Sequence, residues 1–265
     1  MKKFKHKKSL GQNFLTNDAV VERIIDSSEI EGATVIEIGP GEGILTEALA
    51  GTAGKVIAVE LDGRLISQLQ EHFDEYDNVT IVHGDILHMN VEKLISQYIP
   101  DGKYKVVANI PYYITAPIIR LFLELSRSPQ EIVLMVQKEV AQRLSAEPGQ
   151  MSLLAVSAQY YADVKYLFTV GKENFNPVPR VDSAIIQLKI KNEKLRIENI
   201  KEFFRVVKIG FSAKRKTLVN NLANGLQVDK QGIENILVDL GFDKNVRAQE
   251  LSVDDWKSLS YQDFS

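Results

Sequence analysis

The segment "YKVVANIPYYIT", Tyr104 to Thr115, concentrates residues that do chemistry at the end of a run that should do none. Val106, Val107 and Ala108 read as a buried strand, yet the strand runs straight into Asn109, Pro111 and two tyrosines. A side-chain carboxamide followed by a backbone carbonyl is a pair of acceptors. Set against the two hydrogens of an aromatic amine such as adenine N6, the Asn109 oxygen and the Ile110 carbonyl would draw that nitrogen toward tetrahedral geometry. Its lone pair, otherwise conjugated into the ring, would then be free to attack a methyl group. Pro111 restricts the backbone of Ile110 and helps hold that carbonyl. Tyr112 offers a ring on which a base can stack, a contact worth about 1 to 3 kcal/mol in nucleic-acid systems. A second ring is expected from Phe175 in "NFNPVP", on a loop placed to close over the base. Both segments also have a plain structural reading, as a proline turn with core tyrosines and as a phenylalanine packed beside prolines.

A second group of residues suits a nucleoside. "EIGPGEGILT" follows a strand and opens a helix, with glycines at 39, 41 and 43 that let a ligand approach the backbone. The dinucleotide fingerprint wants its last glycine one position later, where this chain has Ile44, so a pyrophosphate fits poorly. Glu37, just before the loop, suits a cationic ligand better than a diphosphate. Glu60 ends the next strand about twenty residues downstream, where a carboxylate takes both ribose hydroxyls. An exposed acid at a strand end is the structural alternative. Asp85 in "HGDIL" ends a third strand and can accept from the amine of an adenine. Together these residues describe S-adenosylmethionine better than NAD.

The elements that would position both groups follow from periodicity. "TVIEIG", "KVIAVEL", "VTIVHGD", "YKVVANI" and "EIVLMVQ" are short and rich in valine and isoleucine, as buried parallel strands are. "GILTEALAG", "GRLISQLQEHF", "VEKLISQYI" and "APIIRLFLELS" alternate with them at helical spacing, which predicts a doubly wound α/β sheet. A further helix, "MSLLAVSAQYY", precedes "DVKYLFTVG" and "VDSAIIQLKI", expected as an antiparallel pair closing one sheet edge. Beyond that the strand signal ends, and four amphipathic stretches predict a small helical domain. The expected division is 1–192 and 193–265.

Composition excludes several chemistries. With 265 residues, 45% hydrophobic, the chain can bury a substantial core. It has no cysteine, which removes disulfides, thiolate catalysis and cysteine-based zinc sites. Its four histidines, His6, His72, His83 and His88, show no metal-ligand spacing, so no metal is expected. No apolar run approaches the roughly 18 residues of a membrane span, and the lysine-rich start leads into no apolar block, so a cytoplasmic protein is expected. A net charge of −3 argues weakly against nucleic acid, but the cations are clustered. Lys5, Lys7 and Lys8 lie in one cluster and Lys214, Arg215 and Lys216 in another, and both are expected to contact RNA phosphates.

Read in order, "SLGQNFL", "EIGPGEG", "VEL", "GDIL", "NIPYYIT", "FNPVPRVDSAIIQL" and "KRKTLVNNL" resemble the ribosomal RNA adenine dimethyltransferases, most closely the KsgA branch acting on small-subunit rRNA. The resemblance spans nearly the whole chain. It implies a Rossmann-like class I methyltransferase sheet, mostly parallel with one antiparallel edge, and a C-terminal all-helical domain for RNA specificity. It implies that Gln12, Asn13 and Leu15 join Glu37, Gly39, Gly41, Gly43, Glu60 and Asp85 around the cofactor, with Leu61, Ile86 and Asn109 beside them. Asn109, Ile110, Pro111, Tyr112 and Phe175 would handle the target base. The implied reaction uses S-adenosyl-L-methionine, releases S-adenosyl-L-homocysteine, and dimethylates N6 of two neighbouring adenines in a hairpin loop near the 3′ end of that RNA. The implied partners are the rRNA and a partly assembled small subunit, and the chain is expected to be a monomer. One departure stands out: many relatives carry asparagine where this chain has Tyr113. The macrolide-resistance branch shares the catalytic motifs but does not usually combine "SLGQNFL", "VDSA" and "KRKTLVNNL". Rival readings are an RNA-assembly factor on the same scaffold, a DNA adenine methyltransferase and, least well supported, an NAD oxidoreductase.

Overall fold

A computed structural model describes residues 12–191 and 199–264. The chain begins with β1 (Phe14–Leu15), α1 (Asp18–Asp26), β2 (Thr34–Ile38), α2 (Ile44–Thr52), β3 (Lys55–Glu60), α3 (Gly63–His72), β4 (Val79–His83) and α4 (Val91–Tyr98). It continues with β5 (Lys105–Asn109), α5 (Thr115–Glu124), β6 (Glu131–Gln137), α6 (Lys138–Leu144), α7 (Leu153–Tyr161), β7 (Ala162–Val170), β8 (Phe175–Asn176) and β9 (Ser183–Ile190). Among the described residues that follow are the helices α8 (Ile200–Gly210), α9 (Leu218–Leu226), α10 (Lys230–Asp239) and α11 (Val253–Ser260), with a 3-10 turn at Ala248–Glu250 and no strand.

Seven strands form one sheet in the order β4-β3-β2-β5-β6-β9-β7. β4, β3, β2, β5 and β6 are mutually parallel, and β9 runs antiparallel to β6. The Val/Ile runs of β2, β3, β5 and β6 are buried almost throughout because helices cover both faces, whereas edge strand β4 is only half-buried. The helices start where polar caps stand ready: Asn17, Asp62, Asn90 and Ser152 each accept a backbone N–H of the first turn. Chain order reverses between β2, which leads outward to β3, and its other neighbour β5. Above the carboxyl ends of two such strands an open α/β sheet has a crevice, because their loops leave in opposite directions.

Two helices have no counterpart in the sequence reading. "DAVVERIID" forms α1, and "KEVAQRL" forms α6 directly after β6. A further small pairing, β1 with β8, aligns Phe14 with Asn176 and Leu15 with Phe175, and so ties the start of the described chain to the proline-rich loop.

The chain divides into two compact units, and the boundary differs from the expected one. Of the described residues, 12–141 together with 163–190 form the sheet unit, while 142–162 join 191 and 199–264. The reason is packing inside the helical unit. Tyr160 on α7 lies 4.6 Å from the Phe203 ring and 5.4 Å from Phe204, and Gln249 O accepts from both Gly149 N and Met151 N. At the centre of this unit Trp256 is fully buried against Gly210, where a Cβ would lie 2.3 Å from the indole. Asn221, also buried, donates to Gly210 O at 2.6 Å and Ala213 O at 3.1 Å, fixing the turn that leads into α9.

Candidate active site

The crevice at the carboxyl ends of β2, β3 and β5 is lined by the Gln12–Leu15 segment, the glycine loop, the ends of β3 and β4, and the loop after β5. The glycine loop turns sharply because Gly39 and Gly41 adopt φ of +67° and +61°, which side-chain-bearing residues avoid. A Cβ on Gly41 would also sit 2.6 Å from the Phe14 ring, so glycine is required there for contact as well as conformation. Gly43 stands apart. It caps α2 and faces Phe73 outside the crevice, so of the three glycines only Gly39 and Gly41 form its wall.

Glu60 ties loop to strand. Its carboxylate accepts Gly41 N–H at 3.1 Å and Asp62 N–H at 2.7 Å. Burial raises its pKa, and the Asp62 and Gly41 amides pull in the opposite direction. Glu37 is 1% exposed and takes a hydrogen bond from Thr46 Oγ1 at 2.6 Å. Burial pushes its carboxyl up to about 8 against the pull of Thr46, with Glu60 adding to the rise. Among the described residues no cationic side chain pairs with either carboxyl.

Asp62, which sequence reasoning missed, holds the side chain of Gln12, a residue of the crevice lining. It caps α3, accepts from Gln12 Nε2 at 3.2 Å, and is forked by Arg64, which holds its carboxyl well below the usual range against the effect of burial. The clue was an aspartate directly before "GRLI", a cap pattern. Leu61 is 45% exposed at the rim, and Ile86 is buried in the wall. Asp85 is occupied locally: one oxygen accepts Leu87 N–H at 3.0 Å and the other lies 2.7 Å from His88 Nδ1. Burial would raise Asp85, but the His88 and Leu87 hydrogen bonds outweigh it and the net shift is downward. Each carboxylate oxygen keeps a second lone pair, so Asp85 retains capacity to accept from a ligand.

Asn109, half-buried, ends β5. Its Nδ2 points to Asn13 O at 3.5 Å, a long contact, which leaves Oδ1 without a donor among the described residues. Ile110 is buried, and Pro111 follows at φ −56°, ψ 135°. Tyr112 opens the 3-10 turn Tyr112–Ile114 that feeds α5. Its hydroxyl lies 2.8 Å from Ser183 Oγ, and burial raises its pKa.

Phe175 is where the structure departs from expectation. It is 3% exposed and belongs to the core cluster with Leu15, Val170 and Ile185, outside the lining of the crevice. On a two-residue strand one side chain must face in, and pairing with β1 puts Phe175 inside beside Leu15 while Asn176 faces out. Among the described residues the aromatic rings of the crevice are Phe14, Tyr112 and Tyr113. In the helical unit Lys214, Arg215 and Lys216 are all exposed in the turn before α9. Lys5, Lys7 and Lys8 lie outside the described residues. Among the described residues no cluster of histidine and carboxylate could hold a metal ion, and no helix is long and apolar enough to cross a membrane.

The residues fit S-adenosylmethionine. The glycine wall admits a ligand at backbone distance, and two buried carboxyls without a cationic partner favour a ligand that brings positive charge. A neutral or anionic ligand would leave the Glu37 proton in place.

The ribosomal RNA adenine dimethylase family model matches residues 3–262. Ribosomal RNA small subunit methyltransferase A of Dehalococcoides mccartyi is 43% identical over 258 residues, covering 96% of this chain and 87% of the relative. The protein of the same name in Bacillus cytotoxicus is 44% identical over 266 residues, covering 97% and 91%. Among solved structures, a dimethyladenosine transferase from Plasmodium falciparum superposes with a TM-score of 0.79 at 28% identity, covering 93% of this chain and 95% of that one. The 23S rRNA methyltransferase ErmE does so at 0.77 and 27% identity, covering 94% and 98%.

Proposed function

The chain belongs to the ribosomal RNA adenine dimethylase family and is an S-adenosylmethionine-dependent rRNA adenine methyltransferase, and we propose that it dimethylates N6 of two adjacent adenines in the 3′-terminal hairpin loop of small-subunit rRNA. The observation that carries the acceptor assignment is the state of Asn109: its amide nitrogen is turned to Asn13, and its oxygen is left free at the crevice.

In this reading Asn109 Oδ1 and the Ile110 carbonyl each accept one N6 hydrogen. The amine becomes more tetrahedral and its lone pair turns toward the cofactor side of the crevice. Pro111 holds the Ile110 carbonyl in place, and the Tyr112 ring, anchored through Ser183, supports the face of the base. No residue acts as a strong base. Orientation supplies much of the rate, since holding two reactants at attack distance offsets on the order of 7 to 11 kcal/mol. The target adenine must leave its stack, which costs least in a loop. For the second transfer one N6 hydrogen remains, so one of the two acceptors suffices.

S-Adenosylmethionine supplies an electrophilic methyl on a sulfonium centre. Glu60 is suited to its ribose and Asp85 to its adenine. Glu37 faces the cationic part, and Gly39, Gly41, Gln12, Asn13 and Leu15 shape the walls. Lys214, Arg215 and Lys216, with Lys5, Lys7 and Lys8, serve RNA phosphates, and the helical unit contributes specificity. The substrate is a partly assembled small subunit, the working form is a monomer, and the site of action is the cytoplasm.

Mass mapping of methylated adenines in small-subunit rRNA from cells with and without the gene tests this. Loss of dimethyladenosine at two neighbouring positions is the expected result, and an unchanged map overturns the assignment.

A further inference from the structure

Among the described residues three rings line the crevice, and two of them are committed within the protein. Phe14 packs over Gly41. Tyr112 is half-buried and its hydroxyl is bonded to Ser183. Tyr113 differs from both: it is 61% exposed, and among the described residues neither its ring nor its hydroxyl has a partner. A lone exposed tyrosine elsewhere on a surface would need no explanation. This one directly follows the proposed base-holding loop, at the lip of the same crevice.

Extruding a base into the crevice breaks stacking on both of its sides, so the flanking nucleotide is left with an exposed π-face. Phe175, the ring expected to cap the target, is buried in the core beside Leu15 and outside the lining of the crevice. Tyr112 can serve only one base at a time. We infer that Tyr113 is an RNA-contacting residue that stacks on the nucleobase flanking the target adenine, and so helps select a loop in which that neighbour is unpaired. The inference rests on the acceptor reading above and adds a second base contact to it. Stacking needs the ring and not the hydroxyl, and it is tolerant of base identity because every base has a π-face.

The test uses full-length protein with two acceptors. Unmethylated small ribosomal subunits give rates. A synthetic hairpin of the target loop, with 2-aminopurine replacing the nucleotide on one or the other side of the target, reports stacking by fluorescence quenching. Tyr113→Ala is expected to raise KM for subunits by about tenfold while kcat and cofactor affinity stay within about twofold, and Tyr113→Phe to match the parent protein. The parent and Tyr113→Phe are expected to quench one of the two 2-aminopurine hairpins, and Tyr113→Ala neither. Any one of four results overturns the inference: a KM for Tyr113→Ala within about twofold of the parent, equal quenching by parent and Tyr113→Ala, no quenching by the parent, or a parallel loss of cofactor affinity that makes the ring a support of the fold. Failure of the parent to methylate small subunits sinks the function itself. A methylating parent with an indifferent Tyr113→Ala sinks only this contact.

Discussion

The hydroxyl of Tyr112 lies 2.8 Å from that of Ser183, so the loop at the end of β5, the proposed acceptor loop, is bonded to the first residue of β9, across the sheet and 71 positions away in the chain. A neutral hydrogen bond contributes about 1 kcal/mol net, enough to change how often the ring is in place by roughly fivefold. Ser183→Ala and Tyr112→Phe are each expected to lower kcat/KM by about that factor, and the double variant to lose no more than either alone. Additive losses in single-turnover assays would show that the two hydroxyls act separately.

Asn109→Ala removes one of the two proposed N6 acceptors while leaving the glycine wall untouched. By analogy with loss of one preorganised polar group at a reacting centre, turnover is expected to fall by at least about a hundredfold. Calorimetric affinity for the cofactor should change little. Turnover within a few-fold of the parent is incompatible with the role.

Glu60→Ala removes the acceptor shared by the Gly41 and Asp62 amides, as well as the proposed ribose ligand. Both losses act on the same site, so cofactor affinity is expected to weaken by about tenfold or more. Equal affinities in titration calorimetry would remove Glu60 from the cofactor site.

Glu37 gives a pH signature with a definite sign. Its folded-state pKa, near 8, stands above the ordinary value of 4.5. Between these limits the folded state holds a proton that the unfolded chain has released. The stability it contributes is therefore complete below about pH 4.5 and is lost as pH rises toward 8. The ligand-free protein should lose Tm across that window through this group, with an uptake difference of roughly one proton, and Glu37→Gln should flatten the slope. Saturation with a cationic cofactor, which favours the ionised carboxyl, should oppose the decline. An identical slope in Glu37→Gln excludes the assignment.

Replacing Lys214, Arg215 and Lys216 together is expected to reduce the slope of log affinity against log salt for RNA by about 2, three phosphate contacts at roughly 0.7 each. The exposed turn that carries them is braced from below by Asn221, so the fold should survive. An unaltered slope places the electrostatic footprint elsewhere.

Much of the architecture was legible because it is written in local pattern. Continuous Val/Ile runs alternating with amphipathic stretches predict parallel strands and covering helices, and β2, β3, β5 and β6 lie where those runs end. The crevice followed, because Gly39, Gly41, Glu60, Asp85 and Asn109 all sit at strand ends that a parallel sheet brings to one edge. α1 and α6 were missed because each is a short helix beside stronger signals, and Asp62 because a helix cap looks the same whether or not it braces a ligand site.

What the sequence determined alone was which residues stand at the carboxyl edge of the sheet, since alternation and turn chemistry act over a few residues. Contacts between distant segments decided the rest. Pairing of β1 with β8 turned Phe175 into the core. The packing of Tyr160 on Phe203 moved 142–162 into the helical unit. Enclosure by the sheet and α2 made Glu37 a carboxyl that keeps its proton near neutrality. Side-chain direction on a two-residue strand, unit membership and desolvation all depend on neighbours far along the chain, and no local pattern carries that information.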